Sequence, residues 1–186
     1  MPVVAIIGAG PLGRSLALAA ARSGARVFLE DVMPSNLHHA QEAIRAALGP
    51  TALPSVRFVS TVEDAVREAD IAIDCVPDEL ESKLEIFCLL DRMAPPHTVL
   101  ATPMTRHSIS DLAACTYRPE KCIAIEARAS DLAAMDFGAA DAPVLLLRTP
   151  PGVAPHTIQV VSDFFRSLGA RPLVEPDNIT PDPASL

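Results

Sequence analysis

The chain has 186 residues, 49% of them hydrophobic, a net charge of −8 and no tryptophan. That length and apolar share suit one domain with a sizeable core. Aromatics at only 4% make that core aliphatic, as in a parallel sheet covered on both faces. The acidic balance, with no basic run, argues against nucleic acid as a partner, and no apolar run is long enough to span a bilayer.

Pro2 to Ile7 is an apolar run of strand length that leads straight into Gly8-Ala9-Gly10-Pro11-Leu12-Gly13. No leader is expected, because the first strand begins at Pro2. Ser15 to Ser23 reads as a small-residue helix closed by Gly24, and Ala25 to Leu29 as a second strand ending in Glu30-Asp31. Strand, glycine turn, helix, strand, acid is the order a dinucleotide-binding unit requires. Gly8 allows a tight turn, Gly10 lets backbone approach a pyrophosphate, and Gly13 lets the helix sit close on the sheet. The helix start offers free N–H groups to phosphate. Pro11 lacks one, so Leu12 donates instead.

Asp31 lies twenty-three residues after Gly8, at the second strand's tip. A carboxylate there accepts both hydroxyls of the adenosine ribose and repels a 2′-phosphate. No Arg or Lys in Val32 to Asn36 offsets that repulsion, so the cofactor read is NAD. The alternative for Asp31 is a strand-end turn residue. Glu30 points to the other side of the strand and reads as a solvated charge.

Asn36 to Leu48 is a helix stopped by Gly49-Pro50, Thr51 to Ser55 a loop, and Val56 to Val59 a strand. Thr61 to Asp64 opens a short helix with a Thr cap and early acids. Ile71 to Val76 is a strand ending at Pro77, and Asp78 to Met93 a long amphipathic helix. Thr98 to Thr102 is a strand, Ser108 to Ala114 a helix, and Cys122 to Ile125 and Val144 to Leu147 are strands. Pro155 to Leu168 is a helix and Arg171 to Val174 a last strand. The fold class is therefore α/β, doubly wound and mostly parallel, one domain over residues 1–175. The proline-containing tail 176–186 reads as a loose end. Ligand is expected at the carboxyl ends of the first and fourth strands. Cys75, Cys88, Cys115 and Cys122 show no C-x-x-C or metal spacing, so no metal is expected. They read as buried, reduced thiols, which points to the cytoplasm.

The chain resembles the NAD-binding domain of 3-hydroxyacyl-CoA dehydrogenases over essentially its whole length. The first carrying residues are Ile6 to Gly13. The more specific block is Asp74-Cys75-Val76-Pro77-Asp78-Glu79-Leu80-Glu81-Ser82-Lys83, followed by Ala94-Pro95, Ile109 to Ala113 and Arg118-Pro119-Glu120. The resemblance implies an NAD-dependent oxidoreductase of fatty acid metabolism, acting on an acyl-CoA or hydroxy acid. It also implies association as a homodimer or with an all-helical partner domain. Family chemistry uses a His base, an orienting carboxylate, and a Ser and an Asn at the reacting oxygen. The positions that match hold Glu126 for the His, a residue near Leu145 for the carboxylate, and Ala129 and Pro103 for two Asn. Only Thr105, for the Ser, is a chemical cousin. On the cofactor side, the resemblance implies roles for Val76, Pro77, Asp78 or Glu79, and Lys83.

With the usual base replaced, two residues are candidate substitutes: Glu126, if desolvated, and His107, beside Arg106. Their alternatives are a surface charge and a helix-entry residue. The expected function is NAD binding, with oxidation of a 3-hydroxyacyl-CoA or similar substrate as the family activity. The alternatives are a non-catalytic NAD(H) sensor and half of a split enzyme.

Overall fold

The computed structural model describes residues 1–49, 55–104, 106–127, 133 and 142–177. In chain order the elements are β1 (Val3–Ile7), α1 (Pro11–Arg22), β2 (Arg26–Glu30), α2 (Pro34–Leu48), β3 (Val56–Val59), α3 (Val62–Val66) and β4 (Ile71–Asp74). Then come α4 (Leu80–Met93), β5 (Val99–Pro103), α5 (Ile109–Ala114), β6 (Cys122–Ile125), β7 (Val144–Thr149), α6 (Pro155–Ser167) and β8 (Arg171–Pro176).

The strands form one sheet in the order β3-β2-β1-β4-β5-β6-β7-β8. All neighbours are parallel except β6 and β7, where Ala124 faces Arg148 and Ile125 faces Leu147. Successive side chains along a buried strand feed opposite layers. On β1, Val4 and Ile6 join a layer with Leu16, Ile44 and Phe165, whereas Ala5 and Ile7 join one with Phe87, Leu90 and Leu112. Strand order reverses between β1 and β4, which leaves a crevice at their carboxyl ends.

Several boundaries differ from the sequence expectation for local reasons. Helix α1 begins at Pro11 rather than Ser15, with Gly10 as its N-cap. Proline's fixed φ suits the first helical position, so the glycine turn is already the head of the helix. β4 stops at Asp74 rather than Val76 because the Asp74 carboxylate accepts the Val76 N–H at 2.9 Å and turns the chain. β8 runs on to Pro176, two residues beyond expectation. Asp177 is held as well: its carboxylate accepts from Ser108, and from the Ser110 N–H and hydroxyl at 3.0 and 2.8 Å. The segment from 176 is thus not loose at its start; residues 178–186 lie outside the described residues. Cys122 is buried, Cys75 and Cys88 are half-buried, and Cys115 is exposed rather than buried.

Candidate functional site

The β1–β4 crevice is a cleft of about 870 Å³. Its lining includes Gly8, Gly10, Pro11 and Leu12 from the glycine turn, Glu30 and Asp31 from the end of β2, Asn36 of α2, and Val76 and Pro77 after β4. A smaller cavity of about 370 Å³ opens at the opposite ends of the strands, between Asp70, His97, His156 and Phe164. No glycine lines it, and its helical wall is α6, from His156 to Ser167.

Gly8 has φ +105, a region that side chains disfavour. A Cβ on Gly13 would lie 1.8 Å from the Gly8 carbonyl oxygen, so the helix sits directly against the turn. A Cβ on Gly10 would meet nothing within 4 Å, so the space in front of the helix head is open. The Arg14 N–H reaches Gly10 O at 3.0 Å. Leu12 and Gly13 precede it in the first turn, where N–H groups have no helical acceptor and face the cleft with the positive end of the helix dipole. A diphosphate fits this arrangement.

Asp31 is buried at the β2 tip and ties the site together. Its carboxylate accepts the Ala9 N–H at 2.9 Å, the Met33 N–H at 2.8 Å and the Asn36 amide at 3.1 Å. A carboxylate has about four lone-pair sites. With three occupied from within the chain, Asp31 has room for about one ribose hydroxyl, not the two expected from sequence, unless Asn36 releases it. Asn36 itself is a second polar group beside the ribose position, and sequence reasoning passed it over.

Glu30 differs from expectation. It is 6% exposed, not solvated. Burial, with the neighbouring Asp31 charge adding to it, pushes its carboxyl up from 4.5 to about 7.

Lys83 is placed elsewhere than in the cleft. It is fully buried, with its ammonium donating to the Asp74 carboxylate at 3.1 Å and the Thr102 hydroxyl at 2.8 Å. Thr102 donates in turn to Asp74 at 2.9 Å. Burial pushes the Asp74 carboxyl up, while Lys83, the Val76 N–H and Thr102 pull it back. The trio clamps the ends of β4 and β5 to α4. Glu79 is the exposed N-cap position of α4 and is not part of the cleft lining.

The described substrate-side candidates, Glu126 and His107, are not among the cleft lining. Glu126 is exposed and paired with Arg148, which also holds Glu175 at 2.8 Å. This is not the desolvated setting that a carboxylate base requires. His107 is half-buried in the turn before α5, away from the cleft lining. Leu145 is 1% exposed within the apolar layer, and Pro103 closes β5. Thr105 and Ala129 lie outside the described residues. No helix of the described residues is long and apolar enough to cross a membrane.

The comparisons with known proteins agree with this geometry. The family model for the 3-hydroxyacyl-CoA dehydrogenase NAD-binding domain matches residues 3–126. The 5-formyl-3-hydroxy-2-methylpyridine 4-carboxylate 5-dehydrogenase of Mesorhizobium japonicum is 29% identical over 182 residues, covering 92% of this chain and 56% of the relative. The L-carnitine dehydrogenase of Burkholderia mallei is 30% identical over 183 residues, covering 91% and 53%. The chain thus spans about half the length of the curated relatives it matches. The (S)-3-hydroxybutyryl-CoA dehydrogenase of Ralstonia eutropha shares the fold, with a TM-score of 0.82 at 20% identity over 96% of this chain and 64% of that one. The cofactor of the matched domain is NAD. By its family match and its fold, the chain belongs to the 3-hydroxyacyl-CoA dehydrogenase family, as an NAD-binding domain.

Proposed function

We propose that the domain holds NAD(H) across the β1–β4 cleft and does not itself supply the proton acceptor for oxidation. The observation that carries this is the open helix head at Gly10, beside a buried carboxylate at Asp31. Leu12 and Gly13 donate N–H groups to the diphosphate. Asp31 and Asn36 take the adenosine ribose, and Val76 and Pro77 wall the cofactor from the β4 side. Bound NAD+ supplies a hydride acceptor. The chain's part is to orient it, and the buried Asp74–Lys83–Thr102 trio positions the β4 and β5 ends on which that orientation depends. Glu126 is committed to Arg148, and His107 stands off the cleft. The free thiols suit a reducing cytoplasm.

The test is titration calorimetry with NAD+, followed by an NADH absorbance assay with 3-hydroxybutyryl-CoA. Binding without turnover is expected. Turnover that disappears in Glu126→Gln or His107→Ala contradicts the second half of the reading.

A second reading is favoured by the greater length of the relatives and by exposed Val144, Leu173 and Val174 on the last two strands. In it, a helical domain or a second copy completes a hydroxyacyl-CoA or hydroxy-acid dehydrogenase. It expects turnover only when that partner is present.

A further inference from the structure

Glu30 stands out because the residue is 6% exposed in the wall of a ligand cleft, while its carboxyl oxygens keep some contact with solvent and are engaged by no hydrogen bond or ion pair of the described residues. Such a group is open to a ligand that replaces the water on it. Its backbone is fixed between β1 and β3, opposite Ile7 and Val59, and its carbonyl accepts the Gly8 N–H at 2.8 Å. By strand alternation its side chain shares the face of Phe28, the face covered by α3 and α4.

The position of Glu30 within the cleft indicates its partner. With the diphosphate at the head of α1 and the ribose at Asp31, the base falls in the arm of the cleft beyond Asp31. That arm is bounded by Ser60, Thr61 and Val62 on one side and by Ile86 and Leu89 of α4 on the other. The apolar Val62, Ile86 and Leu89 suit the faces of a flat ring, and a carboxyl beside them meets its edge. We propose, on the basis of the NAD-binding reading above, that Glu30 is the base-reading residue of this cleft and takes the amino edge of the adenine as its hydrogen-bonding partner.

The chemistry is complementary. Adenine offers an exocyclic amino donor beside a ring-nitrogen acceptor. A neutral carboxyl offers one acceptor and one donor and matches both at once. The local charge favours that neutral form. The charged groups on the cleft beside Glu30 are Asp31 and, from α4, Glu85. On α3, Glu63 and Asp64 are paired with Arg67. Ile7 and Val59 bring no charge, and the Arg57 guanidinium lies over the Phe28 ring. Binding therefore takes up a proton when the pH is above about 7.

The experiment measures calorimetric affinity for NAD+ and for 1,N6-etheno-NAD+, in which the amino edge is blocked, with the parent domain, Glu30→Gln and Glu30→Ala. Two lost hydrogen bonds predict at least a tenfold preference of the parent for NAD+ at pH 6, on the order of 1.4 kcal/mol. Glu30→Gln, which also pairs a donor with an acceptor, retains the preference. Glu30→Ala loses most of it. Between pH 6.5 and 8.5 the parent's affinity for NAD+ falls, by up to about tenfold per pH unit, and that of Glu30→Gln stays flat. Equal affinity of the parent for the two dinucleotides, or a preference that Glu30→Ala leaves unchanged, overturns the proposal while leaving NAD binding intact. No heat with NAD+ itself removes the cofactor site and the proposal together.

Discussion

The two halves of the sheet use their polar groups in opposite ways. Across β3-β2-β1-β4 the carboxyl edge is open. The helix head at Gly10 has room in front of it, and Glu30 has no described partner. Across β5-β6-β7-β8 the polar groups are closed on one another. Glu126 and Glu175 share Arg148, and Asp177 is gripped by Ser108 and Ser110. Groups that are satisfied internally have little left for a ligand, whereas open donors and acceptors at a switch point are what a ligand replaces water on. The difference separates a half with an open cleft from a half whose charged groups are paired. In the second half Glu126 is salt-bridged and Leu145 is buried.

The largest effect is expected at the seam between the halves. Lys83→Met leaves Asp74 buried without its ammonium, and removing one partner of such a pair costs about 3–5 kcal/mol. Urea unfolding of the variant should show it. A loss below about 1 kcal/mol would mean that the trio is not the clamp between β4, β5 and α4.

Next comes Gly13→Ala. Its Cβ would sit 1.8 Å from the Gly8 carbonyl oxygen, so helix and turn must separate. Overpacking of this kind costs about 1–3 kcal/mol, and NAD affinity should fall with it, as read by calorimetry. Intact affinity would show that the turn tolerates displacement.

Glu30 gives a smaller, pH-dependent effect. Its folded-state pKa is raised from 4.5 to about 7, so folding holds its proton more tightly. That stability is fully present below pH 4.5 and is lost as pH rises through 7. Glu30→Gln does not titrate. It should gain on the parent by on the order of 1 kcal/mol at pH 8.5 and show no gain at pH 4.5. Melting curves at the two pH values check the sign, and a gain confined to acid would reverse it.

The smallest effect belongs to the closed half. Arg148→Ala breaks an exposed network worth roughly 0–1 kcal/mol, and NAD affinity should not move. A tenfold loss of affinity would put β6 and β7 back into the cofactor site.

Sequence made the glycine turn and Asp31 legible because their chemistry depends on local spacing along one strand–helix–strand unit. The doubly wound class followed from the alternation of strand and helix. What escaped was non-local. Alternation correctly turned Glu30 away from Asp31, but it says nothing of whether α3 and α4 cover that face. The resemblance implies a cofactor-side role for Lys83, whereas β4 and β5 bring Asp74 and Thr102 to it across nine and nineteen residues of sequence. Asp31 looked free because its three internal donors come from a turn, a loop and a helix that meet only in the fold. Arg148 was invisible as the partner of Glu126 because β7 runs antiparallel to β6, and that register sets the pairing.

The most direct test is an amide chemical-shift titration of the domain with NAD+. Saturable shifts should gather at Gly8 to Gly13, Asp31, Asn36 and Val76, while Glu126, Arg148 and Glu175 stay in place. Shifts centred on β6, β7 and β8, or none at all with NAD+ in excess, would contradict the division of the sheet into an open cofactor half and a closed one.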